Sequence, residues 1–377
     1  MTSATSQRPD HGRDPLTDVH RIAVIPGDGI GREVVPAAQA VLDAAAAMHG
    51  FSFAWQEFDW SCERFERTGR MMPEDGLEQL REHEQIFLGA VGFPGVPDHV
   101  SLWGLLIPIR RSFQQYVNLR PVRLLPGLTS PLRDVPPGGI DMLVVRENTE
   151  GEYSDIGGRF GSGTGAEVAV QESVFTRRGV ERVVRYALAL AAGRSGRMAS
   201  ATKSNGIIHT MPFWDQIVRE QAATCPAVTV SEHHVDALAA LFVLDPGRFD
   251  VVVASNLFGD ILTDLGAAVM GSIGIAPSAN LNPERDFPSM FEPVHGSAPD
   301  IAGQGRANPL GQVWSGVLML EHLGRPEAAA CVMAAVEHVL GATTVRTPDL
   351  GGTATTSDVT DELLRAVRRH DRSREAT

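Results

Sequence analysis

Among the 33 basic residues of this 377-residue chain, only Lys203 is a lysine. Arginine stays charged at any accessible pH, whereas a lysine side chain can give up its proton and act as a base. A surface lysine kept by chance is the plain alternative, so the neighbours of Lys203 must decide. A second candidate is a pair of carboxylates. In Ser255-Asn256-Leu257-Phe258-Gly259-Asp260-Ile261-Leu262-Thr263-Asp264 the two aspartates stand at i and i+4, adjacent on one helical face. Like charges so placed oppose each other unless a cation lies between them, and Mg²⁺ or Mn²⁺ takes one or two carboxylates plus water and substrate. The competing reading is acidic charge drawn to a helix N-terminus by its dipole. Arg110, Arg111, Arg120 and Arg146 lie in otherwise apolar segments. Converging guanidinium groups suit small carboxylates through bidentate pairing, although any one of them alone reads as an ordinary ion pair. Tyr153, one of three tyrosines, follows Arg146 closely and is either a proton donor or a core phenol.

These groups need a scaffold, and the hydrophobic pattern outlines one. Residues 21–26 and 85–91 read as strands, and the first leads through a glycine turn into a helix ending near Ala47. The apolar runs at 142–145 and 251–254 are those of strands covered on both faces. Residues 180–192 and 331–340 read as helices. Such alternation predicts an α/β protein. Arg146 and the Ser255–Asp264 stretch each follow a strand run, which directs both to the carboxyl edge of a sheet, where open α/β folds bind ligands. The motif PGDGIG at 26–31 sits where a dinucleotide fingerprint would lie, but its third glycine arrives one residue early. It reads as a tight turn, open to a ligand contact of another kind. The Pro- and Gly-rich stretches 122–139 and 271–288 read as crossings between domains.

Composition removes several classes. A net charge of −13 repels nucleic acid and acidic membranes, so any anionic ligand must be held by local cations. Hydrophobic content of 43% with 21% charged residues describes a folded core. The length suggests two domains at about 150 residues each. No run of about 18 apolar residues is present to span a bilayer. Residues 1–18 are polar, lack the apolar stretch of a secretion signal and read as a flexible tail. Cys62, Cys225 and Cys331 are odd in number and far apart, fitting no zinc or disulfide pattern. A soluble, cytoplasmic protein is expected.

In order along the chain come PGDGIG, the Arg110 to Arg120 spacing, VVRENTEGEY, TKSNG, FGDILTDLG and FEPVHGSAPDIAG with a later ANP. With these motifs the chain, from Arg21 to Leu340, resembles the metal-dependent β-decarboxylating dehydrogenases of 2-hydroxy acids, which include isocitrate and 3-isopropylmalate dehydrogenases. FDW at 58–60, GRMMPED, PDHVSLWG, QYVNLRPVRL, QESVFTRRG and NLNPER look most like the tartrate/D-malate branch.

The resemblance implies a two-domain isopropylmalate-dehydrogenase-like α/β fold with a mixed sheet, not a standard Rossmann domain. Residues 19–115 and 274–377 would form the large cofactor-binding domain. Residues 116–273 would form a smaller domain with the dimer interface and the metal and substrate residues. Arg110, Arg120 and Arg146 would hold the substrate carboxylates; Asp236, Asp260 and Asp264 would bind Mg²⁺ or Mn²⁺. Lys203 and Asp236 would enter from the second subunit of a homodimer. Glu292, His295, Gly296, Ser297, Ala298, Asp300 and Asn308 would meet the cofactor, and Asp300 would favour NAD over NADP by repelling a 2′-phosphate. A monovalent cation such as K⁺ also belongs to this picture. Lys203 would take the hydroxyl proton, hydride would pass from C2 to NAD, and Tyr153 would return a proton to the enolate left by loss of CO2.

The substrate is open between D-malate or tartrate and 3-isopropylmalate, with a broad-specificity relative included. Trp103, before the first arginine, is expected to fill the space of a large C3 substituent. Leu105 and Pro108 point the other way, toward a more apolar substrate, and Pro108 removes a donor within a helix. A catalytically silent regulatory subunit is the remaining alternative. It predicts loss of the base, tyrosine or metal ligands, whereas Lys203, Tyr153, Asp236, Asp260 and Asp264 are all present.

Overall fold

The computed structural model describes residues 18–136 and 138–374, with side chains through residue 369. Apart from Asp18, the tail expected over residues 1–18 lies outside the described residues. The strands are β1 (Val19–Gly27), β2 (Ser52–Glu57), β3 (Gln85–Ala90), β4 (Val117–Arg123), β5 (Asp141–Glu147), β6 (Gly157–Phe160), β7 (Val168–Gln171), β8 (Arg197–Thr202), β9 (Thr229–His234), β10 (Val251–Ala254), β11 (Pro277–Leu281) and β12 (Ser289–Pro293).

Ten of them form one sheet in the order β2-β1-β3-β12-β11-β4-β5-β10-β8-β9, while β6 and β7 pair as a separate hairpin. Both flanks are parallel, as in β1 with β3 and β5 with β10. At the centre β12 with β11, β11 with β4, and β4 with β5 pair antiparallel. The sheet is therefore mixed, as the sequence led us to expect. Strands from the two ends of the chain occupy one half and strands from its middle the other, joined along β11 and β4.

The apolar runs behave as strands covered on both faces: every residue of β3 and β10 is buried. One large core takes in the sheet centre and the long helices. A smaller one gathers Ile25, Leu88, Leu105, Ile109, Phe113 and Met290. The segment 271–288, read as a crossing, contains β11, whose five residues are all buried at the junction with β4. Pro277 opens that strand, where a missing amide donor is tolerated. Asn280 is buried inside it because every bonding position is met. Its amide donates to Met290 O at 3.3 Å and Glu292 Oε1 at 2.7 Å, and its oxygen accepts from Asn118 at 3.0 Å and Asn148 at 2.9 Å. No disulfide joins Cys62, Cys225 and Cys331. No helix among the described residues is long and apolar enough to cross a membrane.

Candidate active site

The first wall of the site is set by a four-residue apolar spacing. Leu105, Ile109 and Phe113 are fully buried in the smaller core, which leaves Arg110 and Arg111 on the other side of helix Ile107–Ser112, facing a cleft. The preceding turn, Leu102–Leu106, is a wider π-turn. Pro108 follows directly, where its ring and missing N–H disfavour a regular α-turn. Residues five apart come closer to sharing a face in a π-turn than in an α-helix, and Leu102 and Ile107 both line the cleft. Trp103, expected to fill the substrate pocket, is not among the lining residues. Its ring lies 5.1 Å from the Arg111 guanidinium, while Leu105 belongs to the core.

Opposite lie β4, β5 and the helix Asn256–Val269. Register places Asn118 beside Arg146 across β4 and β5, and Ala254 beside Arg146 across β10 and β5. Arg146 is almost wholly buried, so its charge must be matched. Its Nε and Nη2 donate to Asn256 Oδ1 at 3.0 and 2.7 Å, and its Nη1 pairs with Asp260. Gly259 permits this approach: a Cβ there would sit 2.6 Å from Arg146 Cβ and Cγ. Arg120, on β4, donates to Thr263 Oγ1 at 2.6 Å and lies 3.5 Å from both Asp260 and Asp264. Glu152 fixes the start of the same helix, accepting from Ser255 Oγ at 2.7 Å and from Leu257 N at 3.0 Å, a carboxylate at the positive end of the dipole.

The Tyr153 hydroxyl donates to Asp260 Oδ2 at 3.0 Å, and its ring centroid is 5.6 Å from the Arg146 guanidinium. Arg110 pairs with Glu292 at 2.8 Å. Arg110, Arg111, Arg120, Arg146, Tyr153 and Asp260 thus meet at one cavity of about 180 Å³, together with Asn148 and Asn256. Burial alone would raise the Asp260 carboxyl, but Arg146 and Arg120 hold it below the usual range. Burial raises the Asp264 carboxyl, with Arg120 opposing. Burial lowers Arg146 to about 10. Burial, then the Asp260 charge, raises the Tyr153 phenol, so it stays protonated at neutral pH.

Lys203 follows β8, and Asp236 opens the helix after the neighbouring β9; Lys203 Nζ pairs with Asp236 Oδ1 at 2.8 Å. Within one chain the Tyr153 hydroxyl therefore bonds to Asp260, and Lys203 bonds to Asp236. Among the described residues, no three His, Cys, Asp or Glu side chains come together to hold a metal.

The glycine motif forms a turn that braces a second cleft. Gly29 has φ +54°, and a Cβ there would lie 2.0 Å from Ser297 O; Ile30 N donates to that same oxygen at 2.8 Å. Buried Asp28 accepts from Cys62 N at 3.0 Å and Gly92 N at 3.1 Å. The loop so held carries His295, Gly296, Ser297 and Ala298, the last with φ +40°. Gly92, Phe93, Pro94, Gly296, Ser297 and Pro299 line a cavity of about 570 Å³. His295 Nδ1 donates to Gly296 O at 3.0 Å, leaving a buried Nε2 acceptor with no partner among the described residues, and burial lowers its pKa. Asp300 is exposed, and Asn308 donates to Asp349 at 3.0 Å. Glu292 is engaged by Arg110 and Asn280.

Asn148, Asn256 and Thr263 had no part in the sequence reading of the site. Asn256 does stand one turn before Asp260, a spacing that could have suggested it.

A mixed sheet with an arginine-lined cleft among its central strands marks an α/β enzyme with a cationic site. The chain belongs to the isocitrate/isopropylmalate dehydrogenase family, whose model matches residues 21–363, and it is an oxidatively decarboxylating dehydrogenase. It is 55% identical over 350 residues to a probable tartrate dehydrogenase/decarboxylase of Bacillus subtilis (strain 168), covering 92% of this chain and 98% of the relative. It is likewise 55% identical over 357 residues to the decarboxylating D-malate dehydrogenase of Escherichia coli (strain K12), covering 93% and 99%. Among solved structures, an isocitrate dehydrogenase from Methylococcus capsulatus superposes with a TM-score of 0.83 at 34% identity, over 93% of this chain and 99% of that one.

Proposed function

We propose that this enzyme oxidises D-malate and tartrate, small 2-hydroxy dicarboxylates, using NAD and a divalent cation, with loss of CO2 from D-malate. The observation that carries the reading is the convergence of Arg110, Arg120 and Arg146 with Tyr153 and Asp260 at one small cavity. Its support in kind is the half-identity to relatives named for tartrate and D-malate. The arginines bind and orient the carboxylate to be lost. Lys203 takes the proton of the substrate hydroxyl, and Tyr153, protonated at neutral pH, delivers a proton to the carbon that CO2 leaves.

Asp260 and Asp264 offer hard oxygen donors one turn apart, and Asp236 of a second copy completes an oxygen set suited to Mg²⁺ or Mn²⁺. When bound, such an ion supplies Lewis-acid stabilisation of negative charge. The same second copy brings Lys203, which makes the unit a homodimer with shared sites. Leu244 and Ile261, 79% and 54% exposed, offer apolar surface for that contact. The orphaned His295 Nε2 and the cavity at Gly296 and Ser297 fit a dinucleotide, and the Asp300 carboxylate favours NAD. On this reading the large domain, 19–115 and 274–377, binds cofactor, the domain 116–273 carries the metal residues, and the cytoplasm is the compartment.

The apolar pair Leu102 and Ile107 favours a second reading, 3-isopropylmalate. The test is NAD reduction in Mn²⁺ with D-malate, each tartrate stereoisomer, 3-isopropylmalate and isocitrate. D-malate or a tartrate should give the highest kcat/KM; a clear preference for 3-isopropylmalate overturns the first reading.

A further inference from the structure

Four guanidinium groups line the cleft, and three are committed to acids: Arg110 to Glu292, Arg120 to Asp260 and Asp264, and Arg146 to Asp260. Arg111 has no carboxylate partner among the described residues. One of its five N–H donors, on Nη2, reaches Tyr153 O at 2.7 Å. Its guanidinium carbon stands 5.1 Å from the Trp103 ring centroid, a cation–π contact that holds the fork in place. Its other donors meet no protein acceptor among the described residues, and the side chain sits on the cleft wall beside Leu102 and Ile107.

We propose that Arg111 is a specificity-determining residue, donating to a hydroxyl on C3 of the substrate and so selecting 2,3-dihydroxy dicarboxylates over 3-deoxy and 3-alkyl analogues. This rests on the function proposed above. On that function three arginines already serve the carboxylate that is lost, and the C2 hydroxyl is the group oxidised. C3 is the remaining carbon on which candidate substrates differ. Leu102 and Ile107 cannot satisfy a hydroxyl, and a hydroxyl turned toward them without a donor would be penalised. Arg111 is the donor on that wall. A carboxylate there would gain the same cation but turn its second oxygen toward the two aliphatic side chains. A site that bonds a substrate hydroxyl discriminates against the analogue lacking it, whereas an apolar wall tells such pairs apart weakly.

The test measures kcat/KM with NAD and Mn²⁺ for tartrate, D-malate and isocitrate in the wild type, Arg111→Met and Arg111→Lys. The tartrate to D-malate ratio should fall at least about tenfold in Arg111→Met, the weight of one hydrogen bond from a charged donor. It should fall less in Arg111→Lys, which keeps the charge but not the planar fork. Because both substrates are read in one preparation, the ratio is independent of the fraction folded. Equal loss on both substrates would reduce Arg111 to a clamp on Tyr153 and overturn the proposal. So would a selective collapse of isocitrate turnover, which would assign Arg111 to a third carboxylate. A wild type that oxidises neither tartrate nor D-malate would instead overturn the function proposed above.

Discussion

In the proposed reaction, Lys203 and the arginines would divide the chemistry by what each can do with a proton. Arg146 and Arg120 are buried against Asp260 and keep their charge, which suits binding. Lys203, half-buried beside Asp236, carries the one lysine amine in the chain, the group proposed as the base. Lys203→Arg keeps the positive charge next to Asp236 but removes that base. Turnover in steady-state assays should fall by about 10²- to 10⁴-fold, the usual weight of a positioned acid or base. Retention of most of the rate would leave Lys203 an ion-pair residue only. In the proposed reaction Tyr153 is the proton donor: burial first, then the Asp260 carboxylate that accepts its hydrogen bond at 3.0 Å, keep the phenol protonated.

At the scale of elements, the antiparallel centre of the sheet joins the two groups of strands, and its back face carries a titratable reporter. His322 faces a cavity of about 450 Å³ on helix Leu310–His322, beside Arg285 and Glu321, and is within 3.1 Å of Ser289 Oγ. Burial, with Arg285 adding to it, pushes His322 down from 6.5 to about 4. The folded chain thus keeps it neutral where the unfolded chain would take a proton. Its contribution is present above pH 6.5 and is lost as pH falls toward about 4. Urea midpoints should therefore drop less between pH 7 and pH 4.5 in His322→Gln than in the wild type. Parallel curves would show that His322 is not protonated on unfolding in that window.

The same elements show how far local patterning reaches. β3, β5 and β10 were legible because strands covered on both faces read as unbroken apolar runs, and the Arg146 and Asp260 segments follow such runs. β11 was hidden because its proline and asparagine look like loop chemistry. Asn280 is tolerated there through partners as distant as Asn118, 162 residues away. In the sequence Trp103 stands out for the substrate space and Leu102 and Ile107 do not, yet these two line the cleft at either end of a π-turn that local patterning does not announce. The Arg146 to Asn256 contact spans 110 residues, so the sequence could place both at one sheet edge but could not pair them.

At the scale of the whole molecule, the proposed homodimer with shared sites has a consequence for mixed variants. Lys203 pairs with Asp236 and the Tyr153 hydroxyl bonds to Asp260, and on the function proposed above a complete site would draw one group from each of two copies. Co-refolding Lys203→Met with Tyr153→Phe should restore about a quarter of wild-type activity, because half the dimers are hybrids with one intact site of two. Activity no higher than that of either variant alone would place both groups in one chain. The most direct test of the reaction itself supplies D-malate as the sole organic acid with NAD and Mn²⁺, and measures NADH and released CO2 together. Equal amounts of the two, formed by the wild type, are the predicted result. NADH without CO2, or no NADH from D-malate while 3-isopropylmalate is consumed, would contradict it.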